Sequence, residues 1–352
     1  MALSLDHSLP DPEWLKRKYE ILWDGRYHAM SGRIAHVVRI DCRNTGESYV
    51  LRVSDPERKV EGSPCLAHRL SQVHRFQAHL QDQGVRTVHP LRTFDGETVS
   101  STEKGMTVEV FPFVEGRPPT RGDESGIRLA AAEIVRLHNA GVGYRDLPDE
   151  EGLCMNHLAI DSLVEDVRKM RVSTRGKAYH DQFMEYVAET ERCVSAIDRL
   201  RPDLVETGLH VDTGTQNMII DNEGQFWFID CNHASRGRRV FEVCVSMYYL
   251  APHSDVPWGE PARYRLVDEH VEAAFLEAYR EVCEPPWRDE ESAALAVERM
   301  LMFIHGVTCW TTMGDEEDVS VELDRWNACY TTLRAGLDKA AYTGCIWLRH
   351  SQ

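Results

Sequence analysis

The sequence predicts an α+β protein with two lobes, a small N-terminal lobe built on an antiparallel sheet and a larger, mainly helical C-terminal lobe. Alternating apolar and polar residues, typical of half-buried strands, dominate the N-terminal third. Apolar residues at helical spacing dominate the remainder. A chain of 352 residues with 42% hydrophobic content is long enough for two cores. We therefore expect lobes at residues 1–111 and 112–352.

The predicted N-terminal lobe begins with a flexible lead-in at residues 1–12, where Pro10 and Pro12 interrupt regular structure. Asp95-Gly96 is a hairpin dipeptide and predicts a turn between two strands. Helices are expected at 14–23 and 65–83, and strands at 34–41, 49–53, 88–94, 97–101 and 106–111.

The predicted C-terminal lobe begins where the strand pattern gives way to the helix pattern, after Phe111. Its helices are expected at 124–139, 158–170, 179–200, 263–283, 290–312 and 319–340. His138 lies on the apolar face of the first of these helices, so we expect it to be a buried core histidine.

The most informative segment contains His210, Asp212 and Asn217, which have the H-x-D-x-x-x-x-N spacing of a kinase catalytic loop. In such loops the aspartate accepts the proton of the attacking hydroxyl and the asparagine holds a magnesium ion. The spacing therefore predicts Asp212 as the catalytic base and Asn217 as a metal ligand. His210 is expected to hold the loop by packing or hydrogen bonding.

A second metal ligand is predicted at Asp230. Two short apolar runs flank a turn at residues 221–224, which indicates a hairpin directly after Asn217. Asp230 follows the apolar residues 226–229. Such a hairpin would bring Asn217 and Asp230 near each other, and oxygen ligands of this kind suit Mg²⁺.

These motifs resemble the aminoglycoside phosphotransferase and choline kinase superfamily, whose members have a protein-kinase-like fold. The matches run in the family's order from about residue 25 to about residue 245. They comprise Asn44-Thr-Gly46-Glu-Ser-Tyr-Val-Leu-Arg52-Val, Phe111-Pro-Phe-Val-Glu-Gly116-Arg-Pro, Ala132-Glu-Ile-Val-Arg-Leu137-His138, Leu209-His210-Val-Asp212-Thr-Gly-Thr-Gln-Asn217, and Ile229-Asp230-Cys-Asn-His-Ala-Ser-Arg-Gly237-Arg-Arg-Val-Phe-Glu242.

The resemblance implies that the chain moves the γ-phosphoryl group of ATP to a hydroxyl, with Mg²⁺. Arg52 is then the residue that contacts the phosphates. Adenine is expected against the backbone of the inter-lobe connection, around Glu109, Phe111 and Phe113. Ser31 and Gly32 precede the first predicted strand pair and are either a loop over the nucleotide phosphates or an ordinary turn.

The sequence departs from the family pattern at three positions. The usual glycine of the catalytic loop is Val211, and the usual lysine of the phosphate-binding strand is Arg52. Kinases also pair that basic residue with a glutamate of the following helix, but the predicted helix 65–83 contains no glutamate. Gln72 or His74 is expected near its position.

The composition excludes several classes of protein and of partner. A net charge of −17 disfavours nucleic acids and anionic membranes and is compatible with a cationic acceptor. No apolar run of about 18 residues predicts a membrane span, and the first residues do not resemble a signal peptide. The ten cysteines form no C-x-x-C pair, which disfavours a zinc site and suits a reducing cytoplasm.

Three functions remain open at this point. The first is a kinase for a small, cationic or neutral, hydroxyl-bearing molecule. The second is a peptide Ser/Thr kinase of a natural-product pathway that works with a partner lyase. The third is a pseudokinase scaffold, which the missing helix glutamate and Val211 would favour. The presence of the predicted base and of both metal ligands favours an enzyme.

Overall fold

The protein is described from a computed structural model, and its chain forms two compact units. The first unit comprises Met1–Arg117 and Ile219–Asn232, and the second comprises Pro118–Met218 and His233–Gln352. The structure describes residues 9–30, 35–55, 66–148, 165, 168, 180–250, 269–313 and 316–342. The units are a small sheet-bearing one and a larger helical one, so the predicted α+β class is confirmed.

The first unit is built on a five-stranded sheet in the order β1-β2-β3-β5-β4, in which every pairing is antiparallel. Its strands are β1 (His28–Ala29), β2 (His36–Asp41), β3 (Ser48–Ser54), β4 (Ser100–Ser101) and β5 (Thr107–Pro112). Strands β2, β3 and β5 agree with the predicted strands. In the register of β3 and β5, Arg52 lies directly opposite Glu109.

Two helices accompany this sheet, α1 (Pro12–Tyr19) and α2 (Leu66–Asp82). Helix α1 begins after Asp11, whose side chain accepts the backbone N–H of Trp14 at 2.8 Å, and proline occupies its first position. Trp14 and Leu15 join the buried core that the sheet residues Val38 and Leu51 also form. The capped helix therefore begins where its apolar face meets the sheet.

The hairpin predicted after Asn217 is present. Strands β8 (Met218–Asp221) and β9 (Phe226–Phe228) form a three-stranded sheet with β6 (Gly116–Arg117). The Asp221 carboxylate closes the turn by accepting the backbone N–H groups of Glu223 and Gln225. Residues 219–232, which the sequence analysis places in the C-terminal lobe, pack with the first unit.

The strand predicted at residues 88–94 is wrong. Pro90 has no N–H to give to a ladder, and Val88 donates instead to the carbonyl of Phe228 at 3.0 Å. The turn at Asp95-Gly96 does form, closed by the Thr93 N–H bond to the carbonyl of Glu97. Beyond it the predicted strand at 97–101 shortens to β4.

Helices make up most of the second unit. They are α3 (Glu124–Gly141), α4 (His180–Leu200), α5 (Arg239–Leu250), α6 (Glu269–Val282), α7 (Asp289–Met313) and α8 (Glu316–Tyr342). The predicted helix at 158–170 lies outside the described residues except for Glu165 and Arg168, which are both helical. None of the helices in the described ranges is long and apolar enough to cross a bilayer.

A two-stranded antiparallel pair, β7 (Glu206–Leu209) with β10 (Ser235–Arg238), frames the predicted catalytic loop. Helix α3 packs closely on β7, since a side chain at Gly141 would lie 2.8 Å from the backbone nitrogen of Gly208. The hydroxyl of Thr207 on β7 also donates to the carbonyl of His138 at 2.6 Å. Together these contacts fix helix α3, and with it His138, against the strand that leads into the loop.

Candidate active site

The predicted base and one predicted metal ligand meet in the loop between β7 and β8. The side-chain amide nitrogen of Asn217 donates to the backbone carbonyl of Asp212 at 2.9 Å and to its carboxylate at 2.7 Å. Since that nitrogen is committed to Asp212, the amide oxygen is the atom of Asn217 that is directed elsewhere and can ligate an ion. Asp212 is partly exposed, and this contact uses one of its two carboxylate oxygens.

The backbone of this loop is held by Glu242, at the start of α5. The Glu242 side chain is fully buried, and its carboxylate accepts the backbone N–H of His210 at 3.0 Å and of Val211 at 2.5 Å. Val211 has φ of 75°. This left-handed conformation costs an L-residue about 1–2 kcal/mol and explains why glycine is usual here. In this chain a valine adopts the backbone conformation that favours glycine.

His138 is a buried core histidine, as predicted, and it completes the environment of Glu242. Its ring Nε2 lies 2.7 Å from the Glu242 carboxylate, and its Nδ1 lies 2.6 Å from the hydroxyl of Tyr279. A carboxylate only accepts hydrogen bonds, so Nε2 carries the proton in this contact. Burial raises the pKa of Tyr279 well above its usual value, which keeps the hydroxyl protonated. The side chain of His210 is also buried, at 1% exposure.

The predicted phosphate contact, Arg52, pairs with a carboxylate in the first unit. Its Nη1 donates to the Glu109 carboxylate at 3.1 Å, and its Nη2 lies 3.9 Å from a carboxylate oxygen of Asp230. Asp230 follows β9 with φ of 53°, and its side chain is 48% exposed. The side-chain amide of Asn232 donates to the same Asp230 oxygen. Arg52 and Asp230 are therefore brought together.

His74, one of the two residues of α2 expected near the position of the missing helix glutamate, contacts the carboxylate of Glu109. Its Nε2 lies 2.8 Å from the second oxygen of Glu109, and its Nδ1 lies 2.8 Å from the hydroxyl of Thr98. The sequence predicts a role only for the backbone of Glu109, and the contacts of its carboxylate were missed. The signal was present, because Glu109 is the single charged residue of strand β5.

The predicted adenine contacts lie at the end of β5. Phe113 donates its backbone N–H to the carbonyl of Ser48 at 3.0 Å, so this donor is engaged within the sheet. The guanidinium of Arg39 lies over the Phe113 ring, 4.3 Å from its centre, and the Phe111 ring stands edge-on to the His74 ring. The predicted phosphate-loop residues at positions 31 and 32 fall outside the described ranges.

Among the solved structures with a similar architecture are three that are named as small-molecule kinases or phosphotransferases. Amicoumacin kinase, solved with AMP-PNP and Ca²⁺, matches with a TM-score of 0.66 at 14% identity, over 93% of this chain and 92% of that chain. An aminoglycoside phosphotransferase from Alicyclobacillus acidocaldarius gives 0.63 at 16%, over 89% and 92%. Plasmodium vivax ethanolamine kinase gives 0.59 at 12%, over 93% and 86%. At such identities the likeness is one of fold, and it confirms the predicted kinase-like architecture.

No curated protein matches the sequence significantly. The model of the phosphotransferase enzyme family (APH), in contrast, matches residues 30–286. The match spans the strand with Arg52, the catalytic loop and the hairpin that leads to Asp230, so it covers the motifs that carry the predicted resemblance. Because it also covers most of the 352 residues, the chain belongs to the phosphotransferase enzyme family and is an enzyme of the kinase type.

Proposed function

We propose that this enzyme moves the γ-phosphoryl group of ATP to a hydroxyl of a small, cationic acceptor, with Mg²⁺ as the cofactor. The observation that carries the proposal is the pair formed by Asp212 and Asn217. Their side chains are joined by a 2.7 Å hydrogen bond, and each keeps an oxygen for a different partner. A phosphotransferase needs this division between a carboxylate for the acceptor and an oxygen ligand for the metal.

Asp212 orients the acceptor hydroxyl and receives its proton as the bond to phosphorus forms. The hydrogen bond from Asn217 fixes the carboxylate while leaving its second oxygen for the hydroxyl. Because the bonds from Glu242 hold the loop at His210 and Val211, Asp212 is positioned before the acceptor arrives. Such preorganisation is the main contribution of a protein to phosphoryl transfer.

The residues present fit a magnesium ion. Asn217 offers an amide oxygen and Asp230 an exposed carboxylate, and oxygen ligands from one or two such side chains are typical of Mg²⁺ bound with nucleotide phosphates. When bound, the ion neutralises and orients the transferring phosphate oxygens. Asn232 and Arg52 restrain the Asp230 carboxylate from two sides.

Arg52 holds phosphate oxygens of the nucleotide. Its guanidinium presents five N–H donors, and the contact with Glu109 involves Nη1. We assign adenine to the end of β5, on the edge opposite the one that the Phe113 N–H occupies with Ser48. Neighbouring backbone groups alternate between the two edges of a strand, so Pro112 at the end of β5 faces that edge.

Two facts support a cationic acceptor. The chain carries a net charge of −17, which attracts a cation to its surface and repels an anion. Among the structural neighbours, the ethanolamine and aminopropanol kinases are named for amino alcohols, whose amines are protonated at neutral pH. We therefore place amino alcohols and aminoglycosides first in a screen of acceptors, ahead of neutral sugars and Ser-rich peptides.

The test is transfer of labelled γ-phosphate from ATP in such a screen, followed by substitution of the base. Asp212→Asn keeps the size of the side chain and removes its capacity to take a proton. We expect kcat to fall by about 10²- to 10⁴-fold, with thermal unfolding unchanged. The matched control is Asp82→Asn, which makes the same chemical change at the exposed end of α2 and should retain full turnover.

Two outcomes would contradict the proposal. One is the absence of transfer to any hydroxyl acceptor by the folded wild-type enzyme with ATP and Mg²⁺. The other is an Asp212→Asn variant that turns over at the wild-type rate.

A further inference from the structure

We propose that Glu109 and His74 are positioning residues for Arg52, and that together they replace the helix glutamate that kinases use for this purpose. The inference rests on the proposed function, since it assigns Arg52 to the phosphates of the nucleotide. The strand supplies the carboxylate, and the helix supplies a histidine that holds the carboxylate in place. The observation behind it is the buried chain of contacts from Arg52 through Glu109 and His74 to Thr98.

The strand register supplies the first step. Arg52 and Glu109 are direct cross-strand partners on β3 and β5, so their side chains project from the same face of the sheet at close range. The contact is charge-assisted, at 3.1 Å, and the Glu109 side chain is only 1% exposed. A buried carboxylate is costly unless its oxygens are paired. With this geometry Arg52 satisfies only one of the two Glu109 oxygens.

His74 supplies the second step by satisfying the other oxygen of Glu109. Its Nε2 donates because a carboxylate only accepts, and the 2.8 Å contact is buried on both sides. Each oxygen of Glu109 therefore has its own donor, one from β3 and one from α2. This arrangement leaves the carboxylate a single orientation, and the guanidinium of Arg52 is fixed against it.

Thr98 supplies the third step. Its hydroxyl lies 2.8 Å from Nδ1 of His74, so both ring nitrogens are engaged and the ring cannot rotate without losing both contacts. The ring is also flanked edge-on by those of His89 and Phe111. Because both of its ring nitrogens are engaged, His74 holds the Glu109 carboxylate in one orientation.

The arrangement serves a ligand rather than stability alone, because Arg52 extends beyond its partner. Its side chain keeps 13% exposure while Glu109 keeps 1%, and its Nη2 is directed toward the exposed carboxylate of Asp230, at 3.9 Å. A purely structural ion pair gains nothing from an exposed second end. A phosphate oxygen can accept a hydrogen bond from Arg52 beside Asp230 only if that second end of the guanidinium is exposed.

The test compares Glu109→Gln with wild type for ATP affinity by calorimetry with Mg²⁺–ATP, and for kcat and both KM values. Glutamine keeps the volume and one acceptor but removes the charge. We expect the KM and Kd for ATP to rise about tenfold, since one charge-assisted contact is lost, while the KM of the acceptor stays within twofold.

A buried ion pair of the second unit provides the matched control. Arg238 donates to Glu298 at 3.0 Å, and both side chains are at most 3% exposed. Glu298→Gln makes the same chemical change in a comparable environment. If loss of a buried charge acted only through stability, both variants would lose stability and both would keep the ATP affinity of wild type. We expect only Glu109→Gln to lose ATP affinity.

The role of His74 is tested by a graded pair of variants. His74→Gln keeps a donor for Glu109, whereas His74→Leu removes it, so the KM for ATP should rise more in the leucine variant. If Glu109→Gln does not fold, this pair decides the question, because the glutamine variant preserves the contact. Equal and wild-type ATP affinities in His74→Gln and His74→Leu would overturn the inference.

These outcomes are distinguishable from failure of the proposed function. If the wild-type enzyme neither binds Mg²⁺–ATP nor transfers its phosphate, the proposed function is wrong and the role of Arg52 falls with it. If the wild-type enzyme does both and Glu109→Gln retains the wild-type ATP affinity, only the positioning role is wrong.

Discussion

Two buried glutamates, one in each unit, have closely similar surroundings but bind different groups, a side chain in one case and the backbone in the other. Glu109 and Glu242 are both fully buried. Each contacts Nε2 of a buried histidine, at 2.8 Å for His74 and 2.7 Å for His138. Each histidine in turn places its Nδ1 on a hydroxyl, that of Thr98 or that of Tyr279.

The two carboxylates differ in their remaining hydrogen-bond partners. Glu109 binds a side chain, the guanidinium of Arg52, whereas Glu242 binds two backbone N–H groups of the predicted catalytic loop. The first therefore sets the position of a charge, and the second sets the conformation of a main chain. The same set of a glutamate, a histidine and a hydroxyl thus holds an arginine side chain in one unit and a loop backbone in the other, and under the proposed function the first serves nucleotide binding.

The largest expected effect is on stability at Glu242. Glu242→Ala leaves two backbone donors and the His138 ring without their buried acceptor, and we expect a loss of about 3–5 kcal/mol in the free energy of unfolding. Glu109→Ala should cost less, because Arg52 retains contact with solvent and with Asp230. Urea unfolding of both variants measures the difference. Equal losses would break the comparison.

The strain at Val211 gives the next effect. Val211 is fully buried with φ of 75°, so Val211→Ala loses packing and keeps the strain, whereas Val211→Gly loses packing and releases it. We expect the glycine variant to be more stable than the alanine variant by about 1 kcal/mol, the reverse of the usual order. Thermal unfolding decides, and an alanine variant of higher stability would show that Glu242 does not hold a strained loop.

The comparison can also be tested at the hydroxyls of Thr98 and Tyr279, which contact the two histidines. Tyr279→Phe and Thr98→Val each remove one hydrogen bond to a histidine, and each should cost about 1 kcal/mol of stability. Their kinetic effects should separate: Thr98→Val raises the KM for ATP, and Tyr279→Phe leaves it unchanged. Steady-state kinetics with ATP as the varied substrate measures this, and a raised KM in Tyr279→Phe would contradict the division of roles.

The smallest effect concerns His89, which lies beside the Glu109 set, its Nε2 3.2 Å from the carbonyl of His74. Burial lowers the pKa of His89 below the ordinary value of 6.5. The unfolded chain therefore takes up this proton at a higher pH than the folded chain does. The resulting stability is complete above pH 6.5 and is lost as the pH falls below it.

His89→Gln should accordingly weaken the loss of stability between pH 7 and pH 5. Unfolding free energies of wild type and variant across this range measure the change. Parallel curves for the two proteins would show that His89 does not contribute.

The sequence was sufficient where a motif is local. The spacing of His210, Asp212 and Asn217 and the turn at residues 221–224 are contiguous signals. The structure confirms the hairpin and shows a hydrogen bond between Asp212 and Asn217. The helices α3, α4 and α6 were also predictable from periodicity, because each buries one face. The roles of the site residues in catalysis stay predictions until tested.

What the sequence could not supply depends on pairing across the chain. The partner of Arg52 is 57 residues away on another strand, and only the register of β3 and β5 selects Glu109. The pair β7 and β10 was missed because Glu-Thr-Gly-Leu and Ser-Arg-Gly-Arg show no apolar alternation. The predicted strand at 88–94 failed because its N–H groups bond to scattered partners, Val88 to Phe228 and Leu91 to Val110, which no local pattern reveals.

The discontinuity of the first unit has a consequence for synthesis. Its second segment, Ile219–Asn232, follows the whole of Pro118–Met218, which belongs to the second unit. The ribosome must therefore make about 100 residues of the second unit before the strands that complete the first unit emerge. A fragment that ends at Arg117 lacks β8 and β9 and leaves β6 and the Val88 N–H without their partners. Neither unit can be obtained by a single cut in the gene.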